Sequence, residues 1–122
     1  MPDPFTRPVF ARMRRQCLAL PGVTEKLAWG HPCFRVSNRM FCAFEIMHKR
    51  PSVAFRLPEQ SVALDQQGVA FITPYGRGQW ASVYVDQRVD WPLLAMLLNA
   101  SYRGAASARL RATLDEKGFP PP

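Results

Sequence analysis

Apolar positions follow two rhythms along the chain, and the changes between them mark out its elements. From Pro4 to Leu20 the period is four. Phe5, Val9, Met13 and Cys17 form one stripe that Phe10 and Leu20 widen, while Arg7, Arg12, Arg14 and Arg15 fall mostly off it. This predicts an amphipathic helix with a basic outer side, ended by Pro21-Gly22 because glycine accepts a left-handed cap and proline cannot continue the ladder. Val23 to Trp29 reads as a connector with a turn of irregular helix.

The period then falls to two. Gly30 to Phe44 reads as a strand, a tight polar turn at Ser37-Asn38-Arg39 and a second strand. Alternation sets Phe34 and Val36 apart from Cys33 and Arg35, and Met40, Cys42 and Phe44 apart from Phe41 and Ala43. A basic loop, Met47 to Pro51, leads to a third strand, Ser52 to Leu57, with Val53, Phe55 and Leu57 on one face and Ala54 and Arg56 on the other. Pro58 to Gln67 is a short crossover helix closed by Gly68. Val69 to Thr73 and Trp80 to Val85 are two further strands joined by the turn Pro74 to Gln79. Asp90 is a good N-cap for a helix buried through Leu94, Leu97, Leu98 and Tyr102; Gly104 breaks or kinks it before Ala105 to Lys117, and residues 118–122 form a frayed tail.

Short connections between these elements favour an α+β fold, a two-layer sandwich in which a single, mainly antiparallel five-stranded sheet is covered on one face by the N- and C-terminal helices. At 122 residues the length suits one domain, spanning 1–122. No apolar run approaches the roughly 18 residues of a spanning helix, and the N-terminus lacks the apolar run of a signal peptide, so no membrane partner and a cytoplasmic location are expected.

Charge changes the picture most. Thirteen arginines and three lysines stand against nine acids, a net charge of +7. Guanidinium groups match phosphate and carboxylate, so polyanionic partners such as nucleic acid are indicated, against the alternative of dispersed, solvated charge. Cys17, Cys33 and Cys42 are an odd number without CxxC spacing and read as buried thiols in a reducing compartment. His31, Cys33, Cys42 and His48 fit no ligand pattern, so no metal and no cofactor is expected. His31, before a proline, reads as structural. No nucleophile elbow, HExxH or paired acidic motif is present, which favours a non-enzymatic protein.

In order and spacing, GHPCFRV, NRMFCAF, FITPYGRGQWASVYV, then Asp90-Trp91 and Ser101-Tyr102-Arg103, the chain resembles the MmcQ/YjbR family of small bacterial proteins over nearly its whole length. The resemblance implies a CyaY-like (frataxin-like) sandwich and a predicted DNA-binding role through a "double wing", some members lying in the mitomycin resistance cluster. Frataxins bind iron through an acidic ridge; the corresponding helix here is arginine-rich, so iron is not expected.

With the aliphatic positions facing the helices, the other sheet face carries Arg35, Arg56, Trp80 and Tyr84. Its cations would neutralise phosphates and its rings stack on bases. Arg39 and Arg77, at two hairpin tips, are the candidate wings, with Lys49 and Arg50 alongside. Gly76 and Gly78 would allow close approach to a phosphate, although Gly-Arg-Gly is equally an ordinary turn. Alternatively, the aromatics shield the sheet edge and the arginines pair with Glu45 or Asp86. The expected partner is DNA, bound by a monomer or weak dimer; a small planar ligand or a partner protein on the same face is the alternative.

Overall fold

The computed structural model describes residues 3–121. Its sheet contains β1 (Thr24–Ala28), β2 (His31–Val36), β3 (Arg39–Met47), β4 (Arg50–Arg56), β5 (Phe71–Ile72) and β6 (Trp80–Tyr84), in the order β1-β2-β3-β4-β6-β5 with every neighbouring pair antiparallel. The helices are α1 (Pro8–Ala19), α2 (Ser61–Gln66), α3 (Trp91–Ala105) and α4 (Ala108–Lys117). The α+β arrangement is as the pattern indicates, with one sheet and flanking helices, but the sheet has six strands rather than five.

The extra strand, β1, was hidden because it is an edge. It needs only backbone pairing to β2, and Glu25, Lys26 and an exposed Leu27 leave it no apolar alternation. Conversely, the strand expected from Val69 to Thr73 shrinks to Phe71–Ile72, because the Val69 and Ala70 amides donate to the Leu64 carbonyl of α2.

Three successive hairpins close through two-residue turns, Trp29-Gly30, Ser37-Asn38 and His48-Lys49, each with both residues at positive φ. This is the type I′ signature, whose twist matches that of paired strands. A register shift beside Phe34 and Arg35 pairs Phe34 with Cys42 and Arg35 with Met40, leaving Phe41 as the extra residue of a bulge. The bulge reverses part of the expected alternation: Phe41 turns into the core, edge-on to Tyr102, and Met40 goes to the opposite face.

The core lies between the sheet and helices α1 and α3. Phe10 of α1 stacks on Phe44 at 4.7 Å, Phe44 meets Phe34 at 5.0 Å, and Met13, Cys17, Leu94 and Leu98 are fully buried. Each such side chain contributes about 1.5–3 kcal/mol of burial. The Tyr102 hydroxyl donates to the Pro21 carbonyl at 2.6 Å, tying α3 to the end of α1.

The helix ends follow local chemistry. Asp3 caps a single 3-10 turn, Pro4–Thr6, so α1 starts only at Pro8, where proline suits a first helical position. Asp90 caps α3 through the Leu93 amide. Gly104 stays helical; the break falls at Ala106, and Ser107 caps α4 through the Leu110 amide. Phe119 packs on the core and the Pro120 carbonyl accepts from Gln16 Nε2 at 3.2 Å, so the expected frayed tail is docked as far as Pro120; Pro122 lies outside the described residues. Among the described residues no helix is long and apolar enough to cross a membrane.

Candidate functional site

Residues paired across strands share a face, and this settles the sheet's second side. Thr24, Lys26 and Ala28 of β1, His31, Cys33 and Arg35 of β2, Met40, Ala43 and Glu45 of β3, Ser52, Ala54 and Arg56 of β4, and Trp80, Ser82 and Tyr84 of β6 all point away from α1 and α3. Arg35, Arg56, Trp80 and Tyr84 therefore do share a face. That face is not open, however: Ser52, Ala54 and Ser82 are fully buried on it.

Antiparallel hairpins alternate their turns between the two ends of the sheet, which sorts the basic residues into two groups. Arg35, Arg39, Arg56 and the loop carrying Arg77 lie at the end marked by Ser37-Asn38. Arg39 and Arg77 are exposed, Arg35 and Arg56 half-buried, and among the described residues none of the four has a carboxylate within 4.0 Å. Arg39, in register with Val36, leans to the helix side of that end. Lys49 and Arg50 lie at the opposite end, and the structure does not bring them to the others. Arg50 is already engaged, with Nε 2.7 Å from Asp86 Oδ2 and its guanidinium 3.7 Å from the Tyr84 ring centroid. Its hydrogen bond holds the Asp86 carboxyl below its ordinary value.

Both aromatics selected as stacking platforms are committed internally. Trp80 is only 9% exposed, beneath Gly76 and beside Tyr75, so the expectation that it lies open for stacking is corrected. Tyr84 is covered by Phe71, stacked at 4.6 Å, on one side and by Arg50 on the other, and its hydroxyl pairs with His48 Nδ1 at 2.7 Å.

The loop Pro74–Gln79 folds over this face instead of extending beyond it. The Gly76 backbone, at φ +83°, passes so close to Trp80 that a Cβ there would sit 2.4 Å from the indole Cδ1. This brings Tyr75 across the sheet, where its hydroxyl donates to Glu45 Oε1. Under and beside it lies a cavity of about 460 Å³ lined by Ala28, Trp29, His31, Cys33, Met40, Ala43, Glu45 and Tyr75. Glu45 is the only acid in that lining, its side chain 9% exposed, with His31 Nδ1 3.1 Å from Oε2 but off hydrogen-bonding alignment. Burial, and then the neighbouring Glu45, push the Tyr75 hydroxyl far above its usual range, and the same two causes raise the Cys33 thiol. Cys33 is thus a poor nucleophile at neutral pH. Among the described residues no cluster of three or more His, Cys, Asp or Glu side chains could hold a metal ion.

Sequence reasoning weighed Glu45 only as a partner for arginines and passed over Tyr75 and Trp29. One signal was available: an acid inside the run Phe41-Cys42-Ala43-Phe44-Glu45-Ile46-Met47, two positions from Ala43, sits mid-strand on a sheet face.

The YjbR family model matches residues 18–104, and the chain belongs to that family. Two solved structures share the fold. A Deinococcus radiodurans protein, DR2400, with a DUF419 domain, is 23% identical with a TM-score of 0.65, the match covering 86% of each chain. A DUF1801-family protein from Bacillus subtilis is 18% identical with a TM-score of 0.58, over 85% of this chain and 83% of that one. No curated protein matches the chain.

Proposed function

We propose that the chain is a non-enzymatic nucleic-acid-binding protein that grips phosphates with Arg35, Arg39, Arg56 and Arg77 at one end of its sheet. The observation that carries this reading is clustering. Arg14, Arg50 and Arg103 each meet a carboxylate within 4.0 Å; the other arginines do not among the described residues, and of these Arg35, Arg39, Arg56 and Arg77 gather at one end of the sheet. Unpaired guanidinium groups in a chain of net charge +7 are free to replace the counterions of a polyanion. β2 and β4 are two strands apart, so Arg35 and Arg56 stand about 10 Å from one another across the sheet, a span on the scale of a nucleic-acid backbone. Trp80 and Tyr84 do not stack on bases in this reading, and Lys49 and Arg50 contribute only to the general field. Binding is then to the backbone, with little sequence preference.

The test is fluorescence anisotropy with labelled duplex and single-stranded DNA at about 50 and 200 mM salt. Four phosphate contacts predict about a 100-fold loss of affinity over that span on duplex DNA. Replacing Arg35 and Arg56 together by alanine should remove roughly two units from the slope of log affinity against log salt, and Arg39→Ala with Arg77→Ala should do the same. Absence of binding at low salt, or a slope unchanged in both double variants, overturns the reading.

A further inference from the structure

The cavity beneath Tyr75 serves no part of phosphate binding, and its chemistry is of the opposite sign. Its walls are Ala28, Ala43, Met40 and Cys33, and its one charged group is the Glu45 carboxylate. A buried carboxylate demands hydrogen bonds or a counter-charge. Here Oε1 accepts from Tyr75, but among the described residues the only group within 4.0 Å able to carry positive charge is the His31 imidazole, and that is misaligned for a hydrogen bond to Oε2. None of the thirteen arginines or three lysines pairs with it.

The mouth carries a second, independent feature. Trp29 is 88% exposed at the β1–β2 turn and held at φ 54°, so a large apolar ring stands in water in a backbone conformation that disfavours it. Asparagine or glycine would make the same turn without either cost. Trp29 and Tyr75 both border the opening, and the face of an aromatic ring attracts a cation or an apolar ring. Its volume of about 460 Å³ lies within the range of small-molecule sites.

We propose that this cavity binds a small apolar amine, whose ammonium group pairs with Glu45 while its hydrocarbon or ring portion lies against Met40 and Trp29. Three properties point to that class. The walls reject a polar molecule, the carboxylate rejects an anion, and the free Oε2 lone pairs reward a charged N–H donor over a neutral one. The inference is independent of the DNA-binding reading, since none of the four phosphate-gripping arginines lines the cavity.

The experiment uses three probes with one skeleton: 2-phenylethylammonium, 2-phenylethanol and 3-phenylpropionate, each titrated into the 15N-labelled full chain and followed by amide shifts. The amine should bind at least about tenfold more tightly than the alcohol, and the acid should not bind. Shifts should centre on β2, β3 and the Trp29-Gly30 turn. Glu45→Gln, which retains an oxygen for Tyr75, should erase the preference for amine over alcohol. Ala28→Phe, on the edge strand and therefore tolerant, should weaken both by filling the mouth. Equal binding of amine and alcohol to the parent chain overturns the proposal, as does failure of the amine to bind at millimolar concentration. A preference that survives Glu45→Gln also overturns it; were that variant unfolded, amine binding untouched by Ala28→Phe would do so.

Discussion

Two glycines of one loop provide a matched test of how the second sheet face is closed. Gly76 and Gly78 have nearly the same backbone conformation, φ +83° and +80°. An added Cβ at Gly78 meets nothing within 4 Å, whereas at Gly76 it meets Trp80 Cδ1 at 2.4 Å and Cγ and Nε1 at 3.3 Å. Gly78→Ala should therefore cost only the left-handed strain, about 1 kcal/mol. Gly76→Ala carries the same strain and in addition must displace an indole that is 9% exposed and packed beside Tyr75, an overpacking cost of about 1–3 kcal/mol. Urea denaturation followed by far-UV circular dichroism should thus place Gly76→Ala about 1–3 kcal/mol below Gly78→Ala. The native tryptophan emission of Gly76→Ala should also shift to the red as Trp80 is pushed toward water. Equal destabilisation within about 0.5 kcal/mol, with unchanged emission, would mean that the loop does not press on Trp80, and the account of Tyr75 being held over Glu45 would fall with it.

Three further outcomes follow from local chemistry. Lys49 occupies the second position of a type I′ turn at φ 63°, so Lys49→Gly should raise the urea midpoint, a gain of about 0.5–1 kcal/mol; a lower midpoint would show that the side chain makes a contact worth more than the strain. Asp86 should titrate below its ordinary value in a carbon-detected NMR titration and move up in Arg50→Ala. Because its folded pKa is depressed, the stability it contributes is present above the unfolded value of about 4 and is lost as pH falls through the folded one, and the variant should lose that dependence. Cys17, Cys33 and Cys42 are all buried, and burial raises the latter two, so a disulfide reagent at pH 8 should label none of them in the native chain and all three in urea. Rapid native labelling of Cys33 would show that the cavity opens far wider than its lining indicates.

How legible each part was depended on whether a side chain or the backbone carries the signal. Phe5, Phe10, Met13 and Cys17, or Val53, Phe55 and Leu57, announce their elements because one face of each is buried. β1 has no such face, since an edge strand is recruited by backbone hydrogen bonds to β2, and those leave no mark on residue type beyond Glu25 and Lys26. The bulge at Phe41 was invisible for a related reason: one extra residue reverses the faces of Met40 and Phe41, leaving Cys42 to Phe44 in phase, without changing composition. Arg35, Arg56, Trp80 and Tyr84 fell on one face because the period of two was read correctly in β4 and β6. Whether that face was open depended on a non-local event, the folding of Pro74–Gln79 back over Trp80, which no period encodes.

That closure decides how the second face can act. An open sheet of arginines and rings would use both for one polyanion, stacking bases over neutralised phosphates. With Trp80 under Gly76 and Tyr84 between Phe71 and Arg50, the rings are spent on packing and only the cations at the rim remain free. The same loop that removes the stacking surface lies over the Glu45 carboxylate, so one structural event leaves free cations at one end of the face and a separate anionic cavity beside them. The two should then respond differently to salt. Rim contacts lie in water and lose about two orders of magnitude between 50 and 200 mM, whereas a pair formed at Glu45, inside an apolar lining, is screened far less. A protein whose affinity for DNA collapses over that range while its affinity for an amine barely changes would have both sites as drawn. If both fall together, the amine is meeting a solvated carboxylate, and the loop does not lie over Glu45 as the packing of Gly76 on Trp80 requires.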